Sequence, residues 1–182
     1  MPDADLDLAI PAVFFGAVGT AGQRCTTTRR LFLHRSIAQP FLSRLISAYS
    51  SLKPGDPLTP GTLLGPLHTS SAVGIYEEAI ERLKSKDAEI LAGGKPFKAE
   101  ELGDTLIGGN WVKPTVALID KVDMQSEVWR KETFAPVLTV GIFDELEQAI
   151  EWNNAVPQVS ALNEGFHMRD YCRDSDLYGL GA

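Results

Sequence analysis

Between Leu6 and Val18 the apolar residues Ile10, Val13, Phe14, Ala17 and Val18 recur at intervals of three and four, which predicts one face of a helix. Pro11 is tolerated in a first turn, so the regular helix is expected to start near it. Gly19-Thr20-Ala21-Gly22 ends that helix. Thr26 to His34 is β-branched and alternating and reads as a strand. Ser36 is the expected N-cap of a second helix, carried by Phe41, Leu42, Leu45, Ile46 and Tyr49 to about Leu52. Residues 53–66 are rich in Pro and Gly and form a loop. Thr69 or Ser70 then caps a helix with Val73, Ile75, Tyr76, Ile80 and Leu83 inside and Glu77, Glu78, Glu81, Arg82 and Lys84 outside.

Ala88 to Ala92 is a short strand stopped by Gly93-Gly94, and residues 95–110 carry no clear period. Trp111 to Ile119 alternates as a strand, and Gln125 to Trp129 reads as one helical turn. Pro136 to Phe143 is nearly all apolar, the mark of a strand buried on both faces. Asp144 is expected to cap a last helix through Leu146, Ala149, Ile150 and Trp152. Alternating strands and helices predict an α/β fold around a mostly parallel sheet. From Val159 to Ala182 the apolar residues are scattered, so residues 159–182 read as a poorly ordered tail.

Composition narrows the class. The chain has 182 residues, 44% of them hydrophobic and 23% charged, enough for a substantial core. Two cysteines cannot make a disulfide framework, which points to a reducing, cytoplasmic setting. No apolar run reaches the length of a membrane span, and the acidic first residues lack the basic flank of a secretory signal. A net charge of −7 speaks against nucleic acid as a partner.

Two places carry residue types suited to chemistry. Cys25 follows a helix, a Gly-rich turn and Arg24. Glycines let backbone approach a ligand, N–H groups there can hold an oxyanion, and a neighbouring cation favours a thiolate. A single cysteine is also, and more commonly, a small buried hydrophobe. Glu132-Thr133-Phe134-Ala135-Pro136 joins a polar segment to the buried strand. A carboxylate and an aromatic ring two residues apart can face one ligand there; equally, Glu132 can be a solvated loop residue and Phe134 core. No His or second Cys stands at a ligand interval, so no metal site is expected. His34, His68 and His167 are isolated and read as surface or loop residues.

Taken together, these segments resemble the aldehyde dehydrogenase superfamily. Phe15-Gly16-Ala17-Val18-Gly19-Thr20-Ala21-Gly22-Gln23-Arg24-Cys25-Thr26-Thr27 is similar to the family's nucleophile segment. Glu132-Thr133-Phe134-Ala135-Pro136 is similar to its acidic-x-Phe-(Gly/Ala)-Pro hallmark, and Gly65-Pro66-Leu67 and Gly108 to Thr115 fit connecting elements. The likeness runs from about Pro2 to Gln158, so residues 1–158 are expected to be part of the family's catalytic domain. The wording around Cys25, with Trp152-Asn153-Asn154, is nearest the antiquitin branch, which oxidises α-aminoadipic semialdehyde.

The resemblance implies a cofactor, NAD, and a small-molecule aldehyde substrate. It implies that Cys25 attacks the aldehyde to form a thiohemiacetal and then a thioester, that Glu132 bonds the nicotinamide ribose, and that Phe134 packs near the nicotinamide. Arg24 is implied to bind the substrate's charged distal end; a structural ion pair or a solvated side chain is the alternative. The family is homo-oligomeric, a tetramer.

Departures shape further expectations. The family's dinucleotide-binding domain, its glutamate general base and its oxyanion-hole asparagine have no counterpart in the 182 residues, and after Gln158 the likeness stops. Cys172 inherits no role. The 182-residue polypeptide is therefore expected to turn over negligibly by itself. Its alternative role is as a non-catalytic product that binds full-length subunits or misfolds. The strand Pro136 to Phe143 is expected to lie unpaired and to promote association. An unrelated α/β domain is the remaining reading, and the two hallmarks speak against it.

Overall fold

A computed structural model describes residues 1–156, and the expected tail, with His167 and Cys172, lies outside them. Helix α1 spans Leu6–Val18. It begins a turn earlier than Pro11 suggested, because the Asp5 carboxylate accepts from the backbone N–H groups of Asp7 and Leu8 at 2.9 and 3.4 Å. Pro11 therefore sits inside the helix and costs it a backbone hydrogen bond. Helix α2 spans Arg35–Ser51, and its cap is His34 rather than Ser36. The His34 Nδ1 accepts from the Ser36 N–H at 3.2 Å, which places Ser36 in the first turn.

Thr69 caps α3, Ser70–Lys84, through a 3.2 Å bond from Ala72 N–H to its Oγ1. The buried stripe of α3 is Ala72, Tyr76, Ala79, Ile80 and Leu83, while Ile75 falls beyond its edge and is exposed. Helix α4 is one turn, Glu127–Arg130, and α5 spans Leu146–Asn154. Glu145, not Asp144, is the N-cap residue of α5, and Gln148 Oε1 accepts from the N–H groups of both. The Asp144 carboxylate turns away to meet Arg35 at 2.6 Å, and that guanidinium holds its carboxyl below the usual range. Ala149 is buried, but Leu146 and Ile150 face outward.

The strands are β1 (Arg30–His34), β2 (Glu89–Ala92), β3 (Thr115–Ile119) and β4 (Val137–Phe143). They form one sheet in the order β1-β4-β3-β2, with β1 and β3 parallel to β4 and β2 antiparallel to β3. The α/β, mostly parallel reading holds. The expectation of an unpaired Pro136–Phe143 strand does not: β4 is an interior strand, hydrogen-bonded on both edges. Its apolar run reflects burial between neighbours and under helices.

Thr26 to Arg29 fails to extend β1 because these residues bond locally instead. Thr27 Oγ1 accepts from the Arg24 N–H at 3.1 Å, and Thr28 N–H donates to Gly16 O at 3.0 Å. Residues 111–114 likewise stand outside β3, with Val112 in a lone bridge to Pro96. On one sheet face Phe32 of β1 packs with Trp129 and Trp152, at 5.5 and 6.1 Å between ring centroids. Gly141 of β4 leaves room for both indoles.

Tyr76 pins α3 to the start of β3. Its hydroxyl donates to the Lys113 carbonyl at 2.8 Å and lies 2.8 Å from Thr115 Oγ1, fully buried. Burial pushes this phenol up to about 12, so it stays neutral in the fold at pH values where an unfolded tyrosine, near 10, ionises. Its stabilising contribution is complete below about pH 10 and is lost as pH rises toward 12. Tyr76→Phe is expected to cost about 1–2 kcal/mol in urea denaturation and to flatten part of the stability loss between these pH values.

Candidate active site

Parallel pairing decides where the two sequence hallmarks meet. Arg30 of β1 is in register with Thr139 of β4, so the segments leading into both strands emerge side by side. The first carries Cys25 and the second carries Glu132 to Pro136. The Arg29 carbonyl anchors this junction by accepting from both Thr139 N–H and Thr139 Oγ1, at 2.9 and 3.0 Å. The candidate site thus lies at the amino-terminal ends of the strands, opposite to the common rule for open α/β sheets.

The turn before Cys25 is tightly constrained. Thr20, Ala21 and Gly22 have φ of 54, 52 and 69°, a left-handed run that two of the three residue types rarely adopt. Gly22 also lies so close to the Ala135 carbonyl that a Cβ there would overlap it, so the two hallmarks pack backbone against backbone. Gln23 ties the turn to a third segment. Its Nε2 donates to Pro66 O at 3.3 Å, and its Oε1 accepts from the His68 N–H at 3.0 Å. His68 Nδ1 is 2.9 Å from the same oxygen and, facing an acceptor, is the donor.

The structure settles the geometric alternatives at Cys25, Glu132 and Phe134. Cys25 is exposed rather than buried. Phe134 is 43% exposed rather than core. Glu132 is not simply solvated: its Oε1 is 2.9 Å from Arg29 Nε. All three line one cleft of about 220 Å³, together with Arg29, Arg82 and Lys131. Among the described residues no acceptor is within bonding range of the Cys25 N–H.

Arg24 goes elsewhere. Its guanidinium lies 5.1 Å from the centre of the Phe15 ring, and its Nε donates to Thr20 Oγ1 at 2.9 Å. It pairs with no carboxylate among the described residues and does not line the cleft.

Arg29 is the residue that sequence reasoning missed. Its side chain is only 11% exposed and reaches four acceptors. Nε meets Glu132, Nη1 donates to Thr133 O at 2.6 Å and Gly22 O at 3.3 Å, and Nη2 donates to Arg24 O at 3.1 Å. The Phe134 ring stacks 5.2 Å from its Cζ. Burial lowers this guanidinium's pKa, and Glu132 works against that shift. The available signal was an arginine pair at the head of a buried strand, where a charge needs partners.

The cleft is lined to receive an anionic group. Arg29, Arg30, Arg82 and Lys131 face it with one carboxylate, Glu132, in a chain of net charge −7. Glu132 is 42% exposed at its side chain and can accept a further hydrogen bond from a ligand, and the Phe134 ring offers a flat apolar surface. No group of three or more His, Cys, Asp or Glu residues among the described residues is placed to hold a metal.

Fold and cleft together define an α/β segment with an exposed thiol at the mouth of a cationic cleft. Residues 1–162 match the sequence model of the aldehyde dehydrogenase family, and the chain belongs to that family. Aldehyde dehydrogenase family 7 member A1 of Malus domestica is 46% identical over 158 residues, which are 87% of this chain and 29% of the relative. The alpha-aminoadipic semialdehyde dehydrogenase of Mus musculus is 45% identical over 156 residues, 86% of this chain and 27% of the relative. The crystal structure of betaine aldehyde dehydrogenase from Staphylococcus aureus in complex with NAD+ superposes with a TM-score of 0.76 at 29% identity, covering 85% of this chain and 29% of that one. The chain therefore spans about three-tenths of the length of these relatives.

The Gly22–Ala135 contact yields a direct test. Gly22→Ala adds a strained left-handed side chain, costing about 1–2 kcal/mol, and pushes the two loops apart. The urea midpoint should fall by more than that strain alone accounts for, while Gly61→Ala, with open space around its Cβ, should show the strain only.

Proposed function

We propose that this segment supplies the nucleophile and one cofactor-holding element for NAD-dependent oxidation of an aldehyde to its carboxylic acid. The supporting observation is the convergence of an exposed Cys25, its N–H unengaged among the described residues, Glu132 and Phe134 in one cationic cleft. The Cys25 thiolate attacks the carbonyl carbon, a C–S bond forms, and the carbonyl electron pair moves onto oxygen, where the Cys25 N–H can donate to it. NAD, when bound, supplies the hydride acceptor. Glu132 would hold its ribose through Oε2, and Phe134 would pack near the nicotinamide. Water then releases the acid from the Cys25 thioester.

Relatives named alpha-aminoadipic semialdehyde dehydrogenase support a semialdehyde as substrate. Arg24 would anchor its distal carboxylate with the Nη groups that face no acceptor among the described residues, Phe15 lying beside them. An exposed catalytic thiol fits a reducing, cytoplasmic compartment. No helix among the described residues is long and apolar enough to cross a membrane.

Among the described residues lining the cleft the only carboxylate is Glu132, and Arg29 holds it. With Glu132 committed to Arg29 and the ribose, no described carboxylate of the cleft is left to activate the deacylating water, and the 182-residue polypeptide alone is expected to turn over negligibly. A second reading, that this chain docks on full-length subunits of the family's homo-tetramer, is favoured by α1. That helix is apolar on nearly every side, and Leu8 and Phe15 are 73% and 53% exposed.

The polypeptide incubated with NAD and a semialdehyde should show no rise in NADH absorbance, and mild alkylation should modify Cys25 faster than Cys172. NADH formation that disappears in Cys25→Ala would overturn the inactivity claim. Equal reactivity of the two thiols would overturn the nucleophile assignment. Size-exclusion chromatography separates the second reading: self-association or co-elution with a full-length relative supports it, and a compact monomer that binds neither rejects it.

A further inference from the structure

We infer that Arg29 is a positioning residue that aims the Cys25 N–H at the developing oxyanion and locks that donor to the Glu132–Phe134 loop. The inference rests on the reading of Cys25 as nucleophile. A peptide unit is planar and trans, so its C=O and N–H point in opposite directions. The carbonyl of Arg24 and the N–H of Cys25 belong to one such unit. That carbonyl is held from two sides, by Arg29 Nη2 at 3.1 Å and by Thr27 N–H at 3.2 Å. Fixing the carbonyl fixes the opposite direction of the Cys25 N–H. A cationic donor on the carbonyl also polarises the peptide and strengthens the N–H as a donor.

The same guanidinium holds the carbonyl of Gly22, the carbonyl of Thr133 and the carboxylate of Glu132. The nucleophile turn and the cofactor-contacting loop therefore share one rigid, planar donor set. Lysine cannot replace it, because a single ammonium is a point charge and cannot span four acceptors in a fixed fork. Arg29 itself touches no reacting atom in this scheme.

The test separates reactions that need an oxyanion donor from those that do not. An aliphatic trifluoromethyl ketone adds the Cys25 thiol across its carbonyl: the C–S bond forms, the carbonyl oxygen takes the charge, and the thiol proton passes to solvent. Its adduct is read by fluorine NMR without NAD. Iodoacetamide alkylates the same sulfur by displacing iodide, with no oxyanion. Arg29→Met is expected to weaken the ketone adduct about tenfold or more, while the alkylation rate stays within about twofold. Millimolar methylguanidinium should restore the adduct. Arg29→Lys, which keeps the charge, should show the same split and serves if Arg29→Met does not fold.

Parallel loss of both reactions, loss of neither, or unfolding of both variants would overturn the inference, the last by making Arg29 a stabiliser of the fold. If the unsubstituted chain forms no adduct, the nucleophile assignment fails and takes this inference with it. If it forms an adduct that Arg29→Met leaves unchanged, only the inference fails.

Discussion

The site depends on one buried guanidinium. Arg29 Nη1 reaches Thr133 O, 104 positions along the chain, while Nη2 stays on the local Arg24 carbonyl. A nearly buried charge is costly unless every donor finds a partner. Arg29 meets that demand with three backbone carbonyls, one carboxylate and an aromatic face. Each partner belongs to one of the two hallmark segments. Satisfying the charge and assembling the cleft are therefore the same event.

Topology makes the meeting possible and fine packing makes it close. Parallel pairing of β1 and β4 brings both lead-in segments to one end of the sheet, with Thr139 gripping the Arg29 carbonyl. Gly22 then admits the Ala135 carbonyl to a distance no side chain allows. The left-handed run through Thr20 and Ala21 is strained, and Gln23, bonded to Pro66 and His68, helps to hold it. A cysteine on such a turn stands exposed while the peptide before it is hydrogen-bonded by both Arg29 and Thr27. Those are the two properties a nucleophile with its own oxyanion donor needs.

Much of this was legible along the chain. The periodicity of α1, α2 and α3 and the unbroken apolar run of β4 report burial, which sequence pattern encodes directly. The hallmarks pointed to Cys25, Glu132 and Phe134 because such motifs are local. Where reading failed, particular side-chain and backbone pairings that periodicity does not report decided the outcome. Asp144 gave up its capping place to pair with Arg35, and Pro136–Phe143 found neighbours on both edges. Thr26 to Arg29 bonded to the segment before Cys25 rather than extending β1. Arg24, next to Cys25 in sequence, lies over Phe15 and bonds Thr20, contacts that its place in the motif does not report. Arg29 carried no local signal beyond being a charge at the head of a buried strand.

Residues 1–156 thus describe a small, mostly parallel sheet whose adjoining strand ends carry one composite cleft, in a chain that spans about three-tenths of its relatives' length. The central claim is that the two hallmark segments form one mechanical unit through Arg29. Amide hydrogen exchange read by mass spectrometry tests it most directly. In Arg29→Met, exchange should rise together in residues 20–28 and 131–136, while β3 and the body of β4 keep their protection. A rise in only one of the two segments, or a uniform rise across the sheet, would contradict the account.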